Sequence, residues 1–220
     1  MHLKELKNLL KGKKIALVGP SPTLINSGKT IDKYDIVIRI KKGFPVSKKM
    51  SGDIGQKTDI IYTNLRLDNG TNNLNIKTIK SFFQQGGKAI CYPYPIGKGN
   101  FNYACDRFTQ NYLSFPHKNH VSVSIEETFW KKVTQELDAR PTIGMIAMAD
   151  LARYLPAKLY ITGFTFRVDS KSQPLYRASY KNAKQTKYAM HTMTTIHDPI
   201  KELKYLVFLM EKYPCIKLDK

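Results

Sequence analysis

The sequence is short of cysteine and of long apolar runs, and both shortages restrict the class of protein. Its cysteines, Cys91, Cys105 and Cys215, are odd in number and widely spaced. They match no metal-ligand pattern and suit free thiols in a reducing compartment. No apolar run approaches the roughly 18–20 residues that a membrane span needs, and Met1–Leu6 lacks the apolar core of a secretory signal. We therefore expect a cytoplasmic protein whose contact with a membrane, where it has one, is peripheral.

Several short motifs of nucleotide-binding and hydrolytic enzymes are also absent. No G-x-G-x-x-G follows the first predicted strand, which removes the main support for dinucleotide binding, and no G-x-x-x-x-G-K-[ST] is present, which excludes a P-loop. The lack of a G-x-S-x-G elbow weakens a hydrolase interpretation. No Asp-x-Asp pair occurs, and a sugar transferase that holds its donor through a divalent metal commonly needs one. We therefore expect a site without a metal or another cofactor.

Basic residues, in contrast, are abundant. The chain has 36 Lys and Arg against 17 Asp and Glu, which gives a formal net charge of +19. Such a charge favours an anionic partner, such as nucleic acid, an anionic membrane face or a phosphorylated substrate. The lysines are scattered from Lys4 to Lys220 in short doublets, a distribution that a lysine-biased residue usage also explains. The charge therefore favours anionic partners without naming one.

Short apolar runs alternate with helix-length segments along the chain. Near-continuous apolar strands separated in this way are typical of a parallel sheet covered by helices on both faces. We predict an α/β, Rossmann-like fold with a mostly parallel sheet, as a single domain over residues 1–220. The predicted strands are Ile15–Gly19, Ile36–Ile40, Ile60–Tyr62, Ala89–Tyr92, Val121–Val123, Leu159–Thr162 and Cys215–Leu218. The predicted helices are Leu3–Leu10, Ile76–Phe83, Phe101–Leu113, Glu126–Leu137, Thr142–Leu155 and Ile200–Tyr213, and the predicted loops are Asp68–Asn75 and Arg167–Lys187, the second long enough for a lid.

Polar and glycine residues gather where the predicted strands end. Ligands of parallel sheets bind at the carboxyl ends of the strands. Thr142–Gly144 opens a helix, so its backbone N–H groups form an anion site. A single glycine here is explained by a turn, but several phosphate-suited elements at one edge favour a nucleotide site. The elements at the strand ends are Gly19–Pro22, Arg39, Lys41, Asn64 and Thr162–Phe164.

The segment His197–Glu202 contains a candidate general base. Asp198-Pro199 predicts a helix start, with Asp as the N-cap and Pro as the first helical residue. An imidazole held at that point can take a proton from a hydroxyl near neutral pH, and Glu202 lies one turn inside the helix, where it can orient the ring. Taken alone, the segment fits a surface histidine beside an ordinary cap better. The other elements favour the catalytic interpretation.

Taken in order, these elements resemble the sialyltransferases, grouped as glycosyltransferase family 29. The large motif of that family resembles Lys14–Lys41, with a continuation at Asp53–Asp59. Its small motif resembles Arg140–Phe166. Its very small motif resembles His197 and Glu202, with four residues between them. The motifs follow the family's order and spacing over most of the chain, and this combination is more specific than any one motif.

The resemblance implies a sialyltransferase-like fold, a variant of the GT-A type. It implies an inverting, metal-independent transfer of a sialic-acid-like or other sugar acid from a CMP-activated donor to a hydroxyl of a glycan or glycolipid. It implies that His197 is the general base, with Glu202 beside it. A tyrosine hydroxyl from Tyr176 or Tyr180 would then stabilise the leaving phosphate. The implied nucleotide-sugar-binding residues are Gly19, Ser21, Arg39, Asn64, Thr142, Gly144, Thr162, Gly163 and Tyr180.

The sequence departs from the family's pattern at several positions. Pro20 and Lys41 stand where the family usually has Asn, and Ile143 replaces a usual Ser or Thr. Ile15 stands at a cysteine position of secretory-pathway members, so we expect a compact microbial or viral relative. Candidates for the family's His-Tyr element are Tyr176, Tyr180 and His191. These changes leave a second hypothesis, a non-catalytic nucleotide- or polyanion-binding protein. Nucleic acid is not the partner that we expect, although an anionic membrane surface remains one.

Overall fold

A computed structural model describes residues 2–20, 24–63, 76–95, 121–164, 166 and 197–219. The strands are β1 Lys14–Val18, β2 Ile36–Ile40, β3 Ile60–Tyr62, β4 Ala89–Tyr92, β5 Val121–Ser124, β6 Lys158–Thr162 and β7 Ile216–Leu218. The helices are α1 His2–Leu10, α2 Gly28–Ile31, α3 Ser51–Ile54, α4 Ile76–Gln84, α5 Glu127–Leu137, α6 Ile143–Arg153 and α7 Pro199–Lys212. Lys41–Gly43 and Lys48–Met50 form single 3-10 turns.

The strands form one sheet of seven, in the order β5-β4-β3-β2-β1-β6-β7. Each neighbouring pair is parallel, so the predicted α/β class is confirmed. Every predicted strand is present, and the predicted helices that fall on described residues are present as well. The predicted helix Phe101–Leu113 and the loops Asp68–Asn75 and Arg167–Lys187 lie outside the described residues. The sequence analysis missed α2 and α3, because four residues are too few to show a helical period.

Side chains alternate between the two faces of the sheet, and helices cover both. In β1, Ile15 and Leu17 join the larger core cluster, whereas Ala16 and Val18 join a cluster on the opposite face. Helices α1, α5, α6 and α7 supply apolar side chains to the larger core. Helices α2 and α3 cover the opposite face near β1 and β2, and α4 covers it near β3 and β4. The near-continuous apolar strands are explained by this two-sided burial.

The strand order reverses beside β1, and this reversal positions the site. The chain builds the sheet outward from β1 to β5 and then returns to place β6 on the other side of β1. In open α/β sheets, such a switch point leaves a crevice at the carboxyl ends of the strands. The crevice here lies beyond Val18 and Thr162, which are paired in register. Among the described residues, no helix is both long and apolar enough to cross a membrane.

Candidate active site

A cleft of about 110 Å³ opens at the carboxyl ends of β1 and β2. It is bordered by the turn after β1, by the stem of Arg39 and by the segment that leads into α3. Gly19 and Arg39, both predicted to be near the nucleotide, line it, as does Pro20. The other lining residues are Val18, Gly43, Pro45, Val46, Ser47, Met50 and Ile54. Most of these side chains are apolar, which suits a flat ring such as a nucleobase.

Gly19 and Gly163 meet at the base of the crevice. The Gly19 amide donates to the Thr162 carbonyl oxygen at 2.8 Å. A Cβ atom on Gly19 would lie 2.2 Å from the Gly163 carbonyl oxygen, and Gly163 itself has a φ of +71°. Both positions therefore need glycine, one for a close backbone approach and the other for its backbone conformation. The two turns converge at one sheet edge, as predicted.

The start of α6 packs on the residue after Gly163. A Cβ atom on Gly144 would lie 2.8 Å from the ring of Phe164, so Gly144 lets the helix approach the β6 turn. Ile143 is 6% exposed and belongs to the larger core. The side chain that stands where the family usually has a hydroxyl therefore packs in the interior.

Thr162 is held by a carboxylate from the end of the chain. Its hydroxyl donates to Asp219 Oδ2 at 2.6 Å, and the Gly163 amide donates to the same oxygen at 3.3 Å. Thr162 is buried. The sequence analysis missed Asp219, because its partner lies 57 residues away in the chain. Thr162 and Gly163 are thus both hydrogen-bonded to Asp219.

Arg39 binds the chain that forms one wall of the cleft. Only 1% of the residue is exposed. Its Nη2 donates to the carbonyl oxygens of Ile54 and Gly55 at 2.8 and 3.0 Å, and its Nε donates to Thr58 Oγ1 at 2.9 Å. Burial lowers the pKa of Arg39 to about 10, although the charge of Asp32 acts in the opposite direction. The contacts of the guanidinium group hold residues 54–58 in place.

Carboxylates of the large motif also bind backbone amides. Asp32 accepts from the amides of Gln56 and Lys57 at 3.0 and 2.9 Å. Asp59 accepts from the Val37 amide at 2.8 Å and forms an ion pair with Lys88 at 2.7 Å. We refer to residues 14–63 as the large-motif region. Its charged motif residues stabilise the loops around the cleft.

His197 immediately precedes the N-cap of α7, as predicted. Asp198 Oδ1 accepts from the amides of Ile200 and Lys201, both at 3.0 Å, and Pro199 is the first helical residue. The His197 Nδ1 atom lies 2.8 Å from the Arg140 carbonyl oxygen. Because a carbonyl oxygen only accepts, Nδ1 carries the proton in this contact. The neutral imidazole then has its basic lone pair on Nε2.

Glu202 binds the start of α6. One carboxylate oxygen accepts from the Thr142 amide at 2.5 Å, and the other accepts from the Thr142 hydroxyl at 3.1 Å. The same hydroxyl accepts from the Met145 amide at 3.2 Å, which confirms Thr142 as the N-cap. A carboxylate at a helix N-terminus is also stabilised by the helix dipole. The predicted anion site at Thr142–Gly144 therefore already contains a carboxylate of the protein at its first amide.

His197 and Glu202 thus bind opposite ends of the three-residue segment Arg140–Thr142. We call this arrangement the motif junction, because it joins the small and very small motifs. The hydrogen bonds of Glu202 to Thr142 were not predicted from the sequence, and the orientation of the imidazole by Glu202 stays a prediction. The junction sets the position of the imidazole relative to the start of α6.

A buried polar network behind the junction was missed. Tyr62 donates its hydroxyl to Asp150 Oδ2 at 2.6 Å, and Arg153 Nε donates to Asp150 Oδ1 at 2.7 Å. Arg153 also forms an ion pair with Glu126 at 2.5 Å. Burial raises the pKa of Asp150, although Arg153 and the Tyr62 hydrogen bond oppose this effect. The network anchors α6 to β3 through Asp150, a polar residue of a mostly apolar helix that the sequence analysis did not single out.

Three predicted binding residues, Ser21, Asn64 and Tyr180, lie outside the described residues, as do Tyr176 and His191. Within the part of the chain that the structure describes, no group of three or more His, Cys, Asp or Glu side chains could hold a metal ion.

Comparison with known proteins decides the family. The model of "Glycosyltransferase family 29 (sialyltransferase)" matches residues 4–213. The chain belongs to this sialyltransferase family. It is therefore a glycosyltransferase. The large and small motifs that suggested the family meet at Gly19 and Gly163, and the small and very small motifs meet at Thr142. No curated protein matches the chain in a sequence search.

Solved sialyltransferases share its fold at low sequence identity. A mammalian sialyltransferase in complex with Gal-beta-1-3GalNAc-ortho-nitrophenol is 17% identical, with a TM-score of 0.58, over 97% of this chain and 71% of its own. CstII from Campylobacter jejuni in complex with cytidine-5'-monophosphate is 18% identical, with a TM-score of 0.57, over 94% of this chain and 80% of its own. CstII with CMP-3FNeuAc matches 93% of this chain and 79% of its own, at 18% identity and a TM-score of 0.53. These likenesses confirm the sialyltransferase-like fold.

Proposed function

We propose that this glycosyltransferase moves a sialic-acid-like or other sugar acid from a CMP-activated donor to an acceptor hydroxyl, with inversion and without a metal. The observation that carries the proposal is the His197 contact, in which the Arg140 carbonyl oxygen fixes the proton on Nδ1. The family membership supports the reaction class. The structures of CstII with CMP and with CMP-3FNeuAc support a cytidine donor.

His197 acts as the general base. Its Nε2 accepts the proton of the acceptor hydroxyl while the acceptor oxygen bonds to the anomeric carbon of the donor. The bond between that carbon and the phosphate oxygen breaks, and its electron pair leaves on CMP. Attack from the side opposite to the leaving phosphate inverts the anomeric carbon. Proton removal of this kind is worth about 10²–10⁴-fold in rate.

The leaving phosphate is stabilised by N–H and O–H donors. The amides of Ile143 and Gly144 belong to the first turn of α6, where backbone N–H groups have no intrahelical acceptor. A hydroxyl from Tyr180 or Tyr176 would supply a further donor. Gly19, Gly163, Thr162 and Arg39 shape the crevice and its walls, and Ser21 and Asn64 remain proposed nucleotide contacts.

The acceptor is proposed to be a glycan or glycolipid. The mammalian sialyltransferase bound to Gal-beta-1-3GalNAc-ortho-nitrophenol supports a sugar hydroxyl as the nucleophile. We also keep three expectations of the sequence as proposals, namely a single domain over residues 1–220, a cytoplasmic location and peripheral contact with an anionic membrane.

A thermal-shift screen with CMP, UDP, GDP and their sugars tests the donor. Ligand at a hundredfold above its dissociation constant should add about 2.7 kcal/mol of stability. We expect stabilisation by cytidine nucleotides in the presence of EDTA, followed by CMP release from a CMP-activated sialic acid in the same buffer. Stabilisation by UDP- or GDP-sugars alone would refute the donor, and activity that returns only with Mn²⁺ or Mg²⁺ would refute the metal-free mechanism.

The second candidate is a nucleotide- or polyanion-binding protein without transfer activity. Pro20 favours it, because Pro20 lines the cleft where the family usually has Asn and so offers no amide side chain to a ligand. Purification with and without nuclease treatment distinguishes the two. Co-eluting nucleic acid that is lost steeply with salt, together with no CMP release, would support this candidate.

A further inference from the structure

The outer face of α7 exposes four large apolar side chains in one row. Ile200, Leu203, Val207 and Phe208 are 54%, 36%, 50% and 40% exposed. Their spacing places them on one side of a helix. The opposite side of α7 is buried through Tyr205, Leu206 and Leu209. The helix therefore has a second apolar face that the described residues leave exposed, and we call these four side chains the outer stripe.

Positive charge accompanies the outer stripe. Lys204 lies within it and is exposed, and Lys212 lies at its end, with its Nζ 5.3 Å from the Phe208 ring centroid. Glu211 is the acidic residue that shares this exposed face, in the last turn of the helix. Lys201 is already paired with Asp138 at 2.6 Å. The whole chain carries a net charge of +19.

We infer that the outer stripe of α7 docks the protein on an anionic lipid membrane. A helix with an exposed apolar row and lysines beside it lies in the plane of a membrane interface, with its apolar side chains about 5–10 Å deep. Each lysine near such a surface strengthens the attraction about fivefold. The apolar side chains supply insertion, and the lysines select anionic headgroups.

Charge also favours a membrane over a second copy of the chain as the partner of the outer stripe. Two chains of +19 repel one another, and a two-fold contact through this stripe would bring Lys204 and Lys212 close to the same residues of the other copy. Four partly exposed side chains of one helix also fall short of the roughly 800 Å² per partner of a stable interface. An anionic bilayer can bury the apolar side chains of the outer stripe and attract the lysines beside it.

The stripe begins beside the proposed base. Ile200 lies three residues after His197, in the first turn of α7. Docking through α7 would therefore hold the acceptor side of the site close to the lipid headgroups. This consequence rests on the proposed function and favours an acceptor sugar carried on a lipid. The docking itself does not depend on the reaction.

Vesicle co-sedimentation tests the docking. We expect the full chain to bind phosphatidylcholine vesicles that contain phosphatidylglycerol, and to bind pure phosphatidylcholine vesicles much more weakly. The double variant Leu203→Gln/Val207→Gln should lower the partition coefficient at least about tenfold. Lys204→Glu should lower it at least about fivefold, and added salt should reduce this difference.

Leu155→Gln is the matched control. Leu155 is 67% exposed but follows α6 and is not part of the outer stripe, so this variant should bind vesicles like the wild type. Melting temperature and the CMP-induced shift show whether each variant folds with an intact donor site. Wild-type binding by the double variant, or an equal loss in Leu155→Gln, would overturn the docking surface. The docking would also be overturned if the wild type were a dimer, the double variant were a monomer, and neither of them bound vesicles. A missing CMP shift with intact vesicle binding would count against the proposed function alone.

Discussion

The large-motif region and the motif junction use their charged residues in different ways. In the large-motif region, Arg39, Asp32 and Asp59 bind backbone groups of nearby segments, close to a cleft lined mainly by apolar side chains. At the motif junction, Glu202 binds the first residues of α6, and the His197 imidazole contacts the Arg140 carbonyl oxygen that precedes them. Under the proposed function, we expect the first region to shape the donor-binding surface and the second to position the base.

The largest expected effect is on turnover, from His197→Ala. Without the base, transfer should fall by about 10²–10⁴-fold, because the hydroxyl proton has no acceptor. CMP affinity should stay nearly unchanged, since the imidazole acts on the acceptor. Steady-state kinetics with calorimetry of CMP binding measures both. His2→Ala, at the first residue of α1, is the control. Wild-type activity in His197→Ala would remove this residue from the mechanism.

The next effect is on folding, from Arg39→Met. The variant loses the donors that hold the Ile54 and Gly55 carbonyl oxygens, which then lie in the interior without them. We expect a loss of about 3 kcal/mol in the free energy of unfolding. Urea denaturation measures it, with the exposed Lys49→Met as the control. If Arg39→Met instead kept its stability and lost CMP binding, Arg39 would be a nucleotide contact and the comparison of the two regions would fail.

Glu202→Gln tests how the motif junction contributes to kcat. The amide oxygen can still accept from Thr142 N, but the charge and the acceptor for the Thr142 hydroxyl are lost. Hydrogen bonds to charged groups contribute about 1.5–3 kcal/mol, so kcat should fall less than in His197→Ala.

The readout that separates positioning from chemistry is the pH profile of kcat/KM. The acid limb of this profile reports the pKa of the base. If Glu202 acts through Thr142, the acid limb of Glu202→Gln should match that of the wild type. Thr142→Val should then lower kcat as Glu202→Gln does, and the double variant Thr142→Val/Glu202→Gln should show no further loss. A shifted acid limb would mean that Glu202 tunes the pKa of His197.

Tyr62→Phe has a smaller expected effect, and it depends on pH. It removes the donor to buried Asp150 and should cost about 1–3 kcal/mol near neutral pH. That hydrogen bond lowers the pKa of Asp150, which burial has already raised. Its loss raises the folded-state pKa further above the unfolded value, so stability falls as the pH rises through the folded pKa.

The difference in stability between the wild type and Tyr62→Phe should therefore shrink in acid. Chemical denaturation at several pH values measures it, and Tyr213→Phe is the control. An equal loss at all pH values would mean that the hydroxyl does not act through the Asp150 carboxylate.

Elements with a regular pattern could be predicted from the sequence, whereas partners distant in the chain could not. The strands were readable because both of their faces are buried, and the start of α7 was readable from Asp198-Pro199. The contact of Glu202 with Thr142 spans 60 residues, and that of Tyr62 with Asp150 spans 88. Such pairs form because α6 packs between the sheet and α7. A local sequence pattern does not show this packing. Arg39 is predicted as a nucleotide contact because it stands at a strand end, and its hydrogen bonds to the Ile54 and Gly55 carbonyl oxygens could not be predicted from that position.

Parallel measurement of CMP affinity and single-turnover rate in two variants tests the division between the cleft and the junction most directly. Ser47→Phe places a ring in the cleft at an exposed position, whereas His197→Ala leaves the cleft intact. We predict that Ser47→Phe loses CMP binding and that His197→Ala binds CMP normally but transfers sugar about 10²–10⁴-fold more slowly. Joint loss of binding and transfer in both variants, or normal CMP binding in Ser47→Phe, would contradict the account.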